Sequence, residues 1–140
     1  MDSFKIKLSG NDDLDFLAVM NKQLIEDEQH DNKMNIEQLK NRMRDFITGS
    51  YNAYMFIDGN RIIGYALVDT QRNALYLRQF FISRDERRKG YGTLAFSQLM
   101  QLLGTETIDI EVMVWNDRAK AFWESLGFKE RSIYMRKQVG

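Results

Sequence analysis

The chain has 140 residues, 44% of them apolar and 29% charged, which suits one domain with a sizeable core and excludes a disordered chain. Twenty Lys and Arg balance twenty Asp and Glu, so the net field of a nucleic-acid-binding domain is absent and no nucleic-acid partner is expected. The lack of Cys excludes disulfides, thiolate zinc sites and a Cys nucleophile, and a single His excludes most histidine metal centres, so no metal is expected.

The longest apolar run, Ile62 to Val68, is far short of the roughly 20 residues that cross a bilayer, so no membrane partner is expected. The opening Met1-Asp2-Ser3-Phe4-Lys5 is charged and shows no apolar signal region; a cytoplasmic chain is the expectation.

Phe4 to Leu8 alternates apolar and polar residues, a short strand. Asn11-Asp12-Asp13 offers an N-cap to a helix whose face carries Leu14, Leu17, Ala18, Leu24 and Ile25. Glu26 to Lys33 is polar and breaks the periodicity. Asn35 caps a second helix with Ile36, Leu39, Met43, Phe46 and Ile47 at helical spacing, and Gly49 ends it. From Ala53 the period changes to two. Ala53 to Ile57 and Arg61 to Val68 flank Asp58-Gly59-Asn60, a hairpin signal. Asn73 to Ile82 reads as a third long strand. Helical patterning resumes at Tyr91, with Leu94, Ala95, Leu99 and Leu102 on one face. Ile108 to Val114 alternates as a strand, Asn116 to Leu126 is a short amphipathic helix, and Phe128 to Arg136 holds one or two final strands. The order describes a mixed sheet with helices packed on it.

The chemistry lies in Arg87-Arg88-Lys89-Gly90-Tyr91-Gly92-Thr93, between a strand ending near Ile82 and a helix starting near Tyr91. A glycine loop entering a helix presents unpaired N–H groups and the positive end of the helix dipole, which together suit a phosphate. Gly90 and Gly92 allow close approach of an anion, and three adjacent cations add charge-assisted contacts. The pattern is neither the Walker loop nor the dinucleotide fingerprint, because Ala95 stands at the third glycine position.

Arg87-x-x-Gly90-x-Gly92 opening a helix resembles the hallmark of the GNAT superfamily of acetyl-CoA-dependent N-acetyltransferases. Its second hallmark is similar to Val112-Met113-Val114-Trp115-Asn116, then Ala119, Phe122-Trp123 and Leu126-Gly127-Phe128. Element order extends the resemblance over nearly the whole chain. It implies a single α/β domain over residues 1–140, a mostly antiparallel mixed sheet flanked by about four helices. It implies acetyl-CoA as cosubstrate, its pyrophosphate on Arg87 to Thr93 and its pantetheine arm paired with the backbone of Phe80, Phe81 and Ile82. A bulge at that strand end would aim an N–H at the thioester carbonyl. Asn116, Phe122 and Trp123 would wall the other side.

Many members carry a Tyr acid where this chain has Trp123, whose indole N–H has no useful acidity. Tyr134 and Tyr91 are the available substitutes, and Trp123 is either a core aromatic or packs on the cofactor. The resemblance places the acceptor at the connection of the first two helices. There Glu26, Asp27, Glu28 and Asp31 gather with the only His, His30, so a cationic amine would be attracted. Glu28 or His30 could take its proton, and Glu111 is a further candidate base. Arg78, in a strand expected to be central, would be buried, either pairing with a carboxylate of that connection or touching the acceptor. Tyr51, Tyr54 and Tyr65 either line the acceptor pocket or belong to the core.

The function that follows is acetyl transfer from acetyl-CoA to a primary amine by direct attack in a ternary complex, as a monomer or homodimer. The alternative is a non-catalytic acyl-CoA-binding or sensing domain.

Overall fold

The computed structural model describes residues 3–139. Met1 and Asp2 of the opening segment lie outside the described residues. Five strands form one sheet in chain order: β1 (Phe4–Leu8), β2 (Tyr51–Asp58), β3 (Arg61–Asp69), β4 (Leu75–Ile82) and β5 (Ile108–Asp109). All neighbours are antiparallel except β4 and β5. Helices α1 (Leu14–Asp27) and α2 (Ile36–Thr48) precede β2. Helix α3 (Tyr91–Leu103) joins β4 to β5, and α4 (Asp117–Ser125) follows β5.

Each helix pair buries one apolar stripe on one face of the sheet. Leu14, Leu17 and Leu24 of α1 and Met43 of α2 pack on Ala53, Met55, Tyr65, Leu67 and Phe81. Tyr91, Ala95, Phe96 and Leu99 of α3 and Trp123 of α4 pack on Tyr54, Phe56, Ala66, Val68 and Leu77. Period-two alternation along β2 and β3 supplies both faces at once.

Local chemistry sets the boundaries. Asn35 and Gln38 satisfy each other's backbone N–H groups at 2.8 and 2.9 Å, a capping box that starts α2. Gly59, at φ +64°, turns the β2–β3 hairpin. The start of α1 departs from the sequence reading. Asn11–Asp13 forms a short 3-10 turn, and Asp13 Oδ2 accepts from the Gly10 N–H at 3.0 Å instead of capping α1.

Three strand expectations are corrected. The third long strand begins at Leu75, two residues late. The strand expected over Ile108 to Val114 pairs only at Ile108 and Asp109, opposite Leu75 and Tyr76. Beyond Tyr76 the β3–β4 register shifts at Leu67/Val68, leaving Arg78 unpaired in the ladder. Beyond that point β4 and β5 are no longer paired. Residues 110–114 alternate correctly but find no ladder, and a strand exists only where its backbone groups are paired. The final strands expected over Phe128 to Arg136 are also absent from the described residues. Lys120–Glu130 and Arg136–Asp31 ion pairs hold that segment instead.

Candidate active site

The separation of β4 from β5 opens a cleft of about 1020 Å³. Its walls are β4 from Phe80 to Ile82, the N-terminus of α3, and Asn116, Ala119, Phe122 and Trp123 around α4. Leu24, Asp27 and Glu28 close one end.

The β4 wall is an unpaired strand edge. Ser83 N–H donates to the Ile63 carbonyl at 2.8 Å, so the Ser83 N–H faces β3, while its carbonyl accepts from the Glu86 N–H at 2.9 Å. Alternation then turns the peptide groups of Ile82 and Phe80 toward the cleft and those of Phe81 toward β3. The Ile82 carbonyl already accepts from Arg87 Nε at 2.9 Å. The sequence reading that all three residues present backbone to an extended ligand is thus narrowed to the N–H groups of Phe80 and Ile82 and the Phe80 carbonyl. The bulge expected at this strand end lies earlier, at Arg78.

The N-terminus of α3 has no side-chain cap. Gly90 is left-handed at φ +84°, and the first turn carries no acidic residue. Helices α2 and α4 differ: Asn35 and Asn116 cap them by accepting from Gln38 and Ala119. Asn116, expected only to wall the cleft, therefore also starts α4, its Oδ1 bonded at 3.2 Å. Gly92 has a packing reason to be small, since a Cβ there would meet the Phe122 ring at 3.2 Å.

The three loop cations are not equivalent. Arg87 is held by the Ile82 carbonyl and Asp27, with its guanidinium carbon 5.5 Å from the Phe81 ring. Lys89 bonds Glu86 at 3.2 Å. Arg88 is exposed, left-handed at φ +65°, and lines the cleft with Thr93. Tyr91 donates to the Asp58 carboxylate, which raises the pKa of its hydroxyl, and the same hydroxyl lies 3.4 Å from Arg61. That anchors α3 to the β2–β3 hairpin and removes Tyr91 as an available acid.

Trp123 is 9% exposed and sits edge-on to Phe80, Phe96, Phe122 and Phe128 at centroid distances of 5.2, 5.5, 4.9 and 5.3 Å. It is a core aromatic whose remaining surface lines the cleft, so the two sequence alternatives are compatible.

Around Glu28 the remaining candidates separate. Glu28 faces the cleft mouth beside Trp115 and Asn116, and burial, then Asp27, pushes its pKa up to about 7. Below it the buried Tyr65 hydroxyl donates to Gln79 at 2.7 Å and is hydrogen-bonded to Asn21. Tyr54 packs in the core on the other face. His30 is not brought to the cleft; its Nδ1 accepts from the Asn32 N–H at 3.0 Å. Tyr134 is 78% exposed on the C-terminal segment and bonded by Arg136 at 3.2 Å. Glu111 is exposed beyond β5. Glu26 bonds Arg84 at 3.4 Å.

Arg78, expected to be buried, is exposed at the bulge, where its Nη1 donates to the Tyr51 hydroxyl at 3.3 Å. An exposed bulge lets a guanidinium stay solvated without a carboxylate. Sequence reasoning missed Arg84 and Arg118, which also line the cleft, and Arg42. For Arg84 and Arg118 the only sequence signal is charge beside a motif, and Arg42, within α2, has none. No group of His, Asp and Glu among the described residues could hold a metal ion, and no helix among them is long and apolar enough to cross a membrane.

Solved structures share this architecture. A protein of Clostridium difficile 630 described as a possible acetyltransferase superposes with a TM-score of 0.78 at 18% identity, covering 98% of this chain and 97% of that one. An aminoglycoside acetyltransferase from an uncultured soil metagenomic sample, in complex with sisomicin, gives 0.68 at 16% identity, covering 99% and 98%. The aminoglycoside acetyltransferase AAC(6')-Iy, in complex with the bisubstrate analogue CoA-S-monomethyl-acetylneamine, gives 0.70 at 16% identity, covering 97% and 99%. At these identities the likeness establishes the fold. No curated protein sequence matches the chain. The sequence model of the Acetyltransferase (GNAT) family matches residues 17–128, a span that includes both the glycine loop and the Asn116 segment. With the splayed sheet and the bare α3 terminus, that match makes this chain a member of the GNAT acetyltransferase family.

Proposed function

We propose that the protein transfers the acetyl group of acetyl-CoA to an amine by direct attack in a ternary complex. The observation that carries the reading is one cleft with an uncapped helix N-terminus, an unpaired strand edge and, at its end, a carboxyl group whose pKa lies near 7.

The residues fit acetyl-CoA. The first-turn N–H groups of α3 and the exposed Arg88 bind the pyrophosphate. The Phe80 and Ile82 edge holds the amide-bearing arm as an added strand, against the apolar wall of Phe122 and Trp123. Acetyl-CoA supplies the activated acyl group. Glu28, ionised, takes a proton from the acceptor ammonium, directly or through water. The freed nitrogen lone pair attacks the thioester carbonyl carbon, the C–N bond forms, the C–S bond breaks, and the second nitrogen proton passes through water to the departing thiolate. An unpaired β4 N–H, that of Phe80, supports the oxygen that gains charge. The thiolate leaves without a tyrosine acid, since Tyr91 is committed to Asp58 and Tyr134 does not line the cleft.

Calorimetric titration with acetyl-CoA and with ATP, followed by a thiol-release assay over an amine panel, tests this. Micromolar binding of acetyl-CoA alone and amine-dependent thiol release support the transferase. Binding without release favours the acyl-CoA-binding alternative, which the indole at Trp123 motivates. No binding of acetyl-CoA overturns both.

A further inference from the structure

On the α1–α2 side of the sheet, the Arg42 and Arg78 guanidinium carbons lie 5.4 and 4.9 Å from the centroid of the same ring, Phe46. Neither has a carboxylate within 4.0 Å among the described residues. Arg42 Nη2 donates to Asn21 Oδ1 at 3.2 Å, and its Nε is buried without a hydrogen-bond partner. Among the described residues Arg78 hydrogen-bonds only the Tyr51 hydroxyl, whose ring lies 4.8 Å from Phe46 at a tilt of 54°. Two like charges gathered on one ring repel each other, an arrangement that an anion between them would relieve.

The acidic connection that the sequence offers to a cationic acceptor is already neutralised from within. Asp27 pairs with both Arg84 and Arg87, Glu26 with Arg84, and Asp31 with Arg136. Glu28 remains, and it carries the proton-accepting role proposed above. Glu111 lies beyond β5, close enough to influence Tyr76, but it makes no ion pair among the described residues. This side of the sheet therefore carries Glu28 at the cleft end and two guanidinium groups beyond it, with Glu111 near Tyr76.

The two ends are joined. Asn21 bonds both Arg42 and Tyr65, and Tyr65 also feels the charge of Glu28. Arg78 stands two residues before Phe80 on β4, roughly 6–7 Å along the strand. Two extended residues of a peptide cover a similar span.

We infer that the acceptor carries a carboxylate as well as its amine, an amino acid or short peptide, with the carboxylate held between Arg42 and Arg78. This rests on the transferase reading and deepens it. A polycation such as an aminoglycoside would place positive groups against both guanidiniums, so that substrate class does not transfer from the structural neighbours.

The test uses thiol release from acetyl-CoA with amino acids and dipeptides, the same compounds as C-terminal amides, and spermidine. The carboxylate forms are expected to exceed their amides by about tenfold or more in kcat/KM, with spermidine lower still. In Arg78→Gln the gap shrinks to about twofold through the acceptor KM, while the acetyl-CoA KM holds. Arg42→Gln moves the same way. Arg78 is exposed, so its variant keeps the fold if Arg42→Gln does not. Preference for amides or spermidine, or a gap unchanged in Arg78→Gln, overturns the inference. Acetyl-CoA binding with no thiol release from any acceptor also overturns it but leaves the cofactor site standing. Failure to bind acetyl-CoA removes the transferase reading itself.

Discussion

The indole N–H of Trp115 donates to the backbone carbonyl of Glu28 at 2.9 Å, joining positions 87 residues apart. The bond ties the end of α1 to the turn before α4 and fixes the gap between the acceptor end and the Asn116 wall. The Trp115 side of that contact is itself 54% exposed, so it contributes little to the core.

Replacing Trp115 by Phe should therefore act on geometry more than on stability. The lost bond costs about 1 kcal/mol or less. The acceptor KM should rise severalfold while the acetyl-CoA Kd stays within about twofold. Steady-state kinetics with both substrates varied would show this, and an acetyl-CoA Kd that rises in parallel would refute it.

The loop cations divide between structure and ligand. Arg88→Ala should leave the thermal midpoint in place and weaken CoA binding about three- to tenfold, an effect that shrinks with added salt. Arg87→Ala removes the bonds to Ile82 and Asp27 and should cost about 1–2 kcal/mol of stability. Calorimetry and thermal unfolding on the two variants separate the roles. A variant pair with the same profile would contradict the division.

The local rules explain what was legible in the sequence. The Asn35 cap, the Asp58-Gly59-Asn60 hairpin and the start of α3 at Tyr91 are each decided by a few adjacent residues, and each stands in the structure. Ile108 to Val114 and Phe128 to Arg136 show strand alternation, yet pairing depends on where β4 goes after Arg78, which no local pattern encodes. The site divides the same way. A glycine loop announces itself through backbone needs. That Arg87 is pinned at the cleft wall by Asp27 while Arg88 is left unpaired among the described residues, or that Asp27 neutralises two arginines, depends on partners about 60 positions away.

Gly64 on β3 lies against the β4 backbone with no room for a side chain. A Cβ there would stand 2.0 Å from the Phe81 carbonyl oxygen, a backbone atom that cannot move without breaking the ladder. Gly64→Ala should destabilise by more than the about 1–3 kcal/mol of ordinary overpacking and displace the β4 edge that faces the cleft. Denaturant unfolding measures the loss. A stability within about 1 kcal/mol of the parent would show that β3 and β4 can separate freely.

Glu28 makes the reaction and the stability depend on pH in opposite senses. Burial first, then Asp27, raises its pKa from the ordinary 4.5 to about 7, with the buried Tyr65 also facing it. The folded state therefore favours the neutral acid. Stability from this group is complete below about 4.5 and is lost as pH rises through about 7, because the unfolded chain ionises first. Activity needs the ionised form, so kcat/KM should climb about tenfold per pH unit below about 7 and level above it. Protonation of the acceptor amine adds its own limb at higher pH, common to every variant. Glu28→Gln removes the first limb and lowers turnover by about 10²–10⁴, while its thermal midpoint gains on the parent between pH 5 and pH 8. Kinetic and unfolding profiles over that range read both effects. A limb near pH 7 that survives in Glu28→Gln would assign the proton to another group.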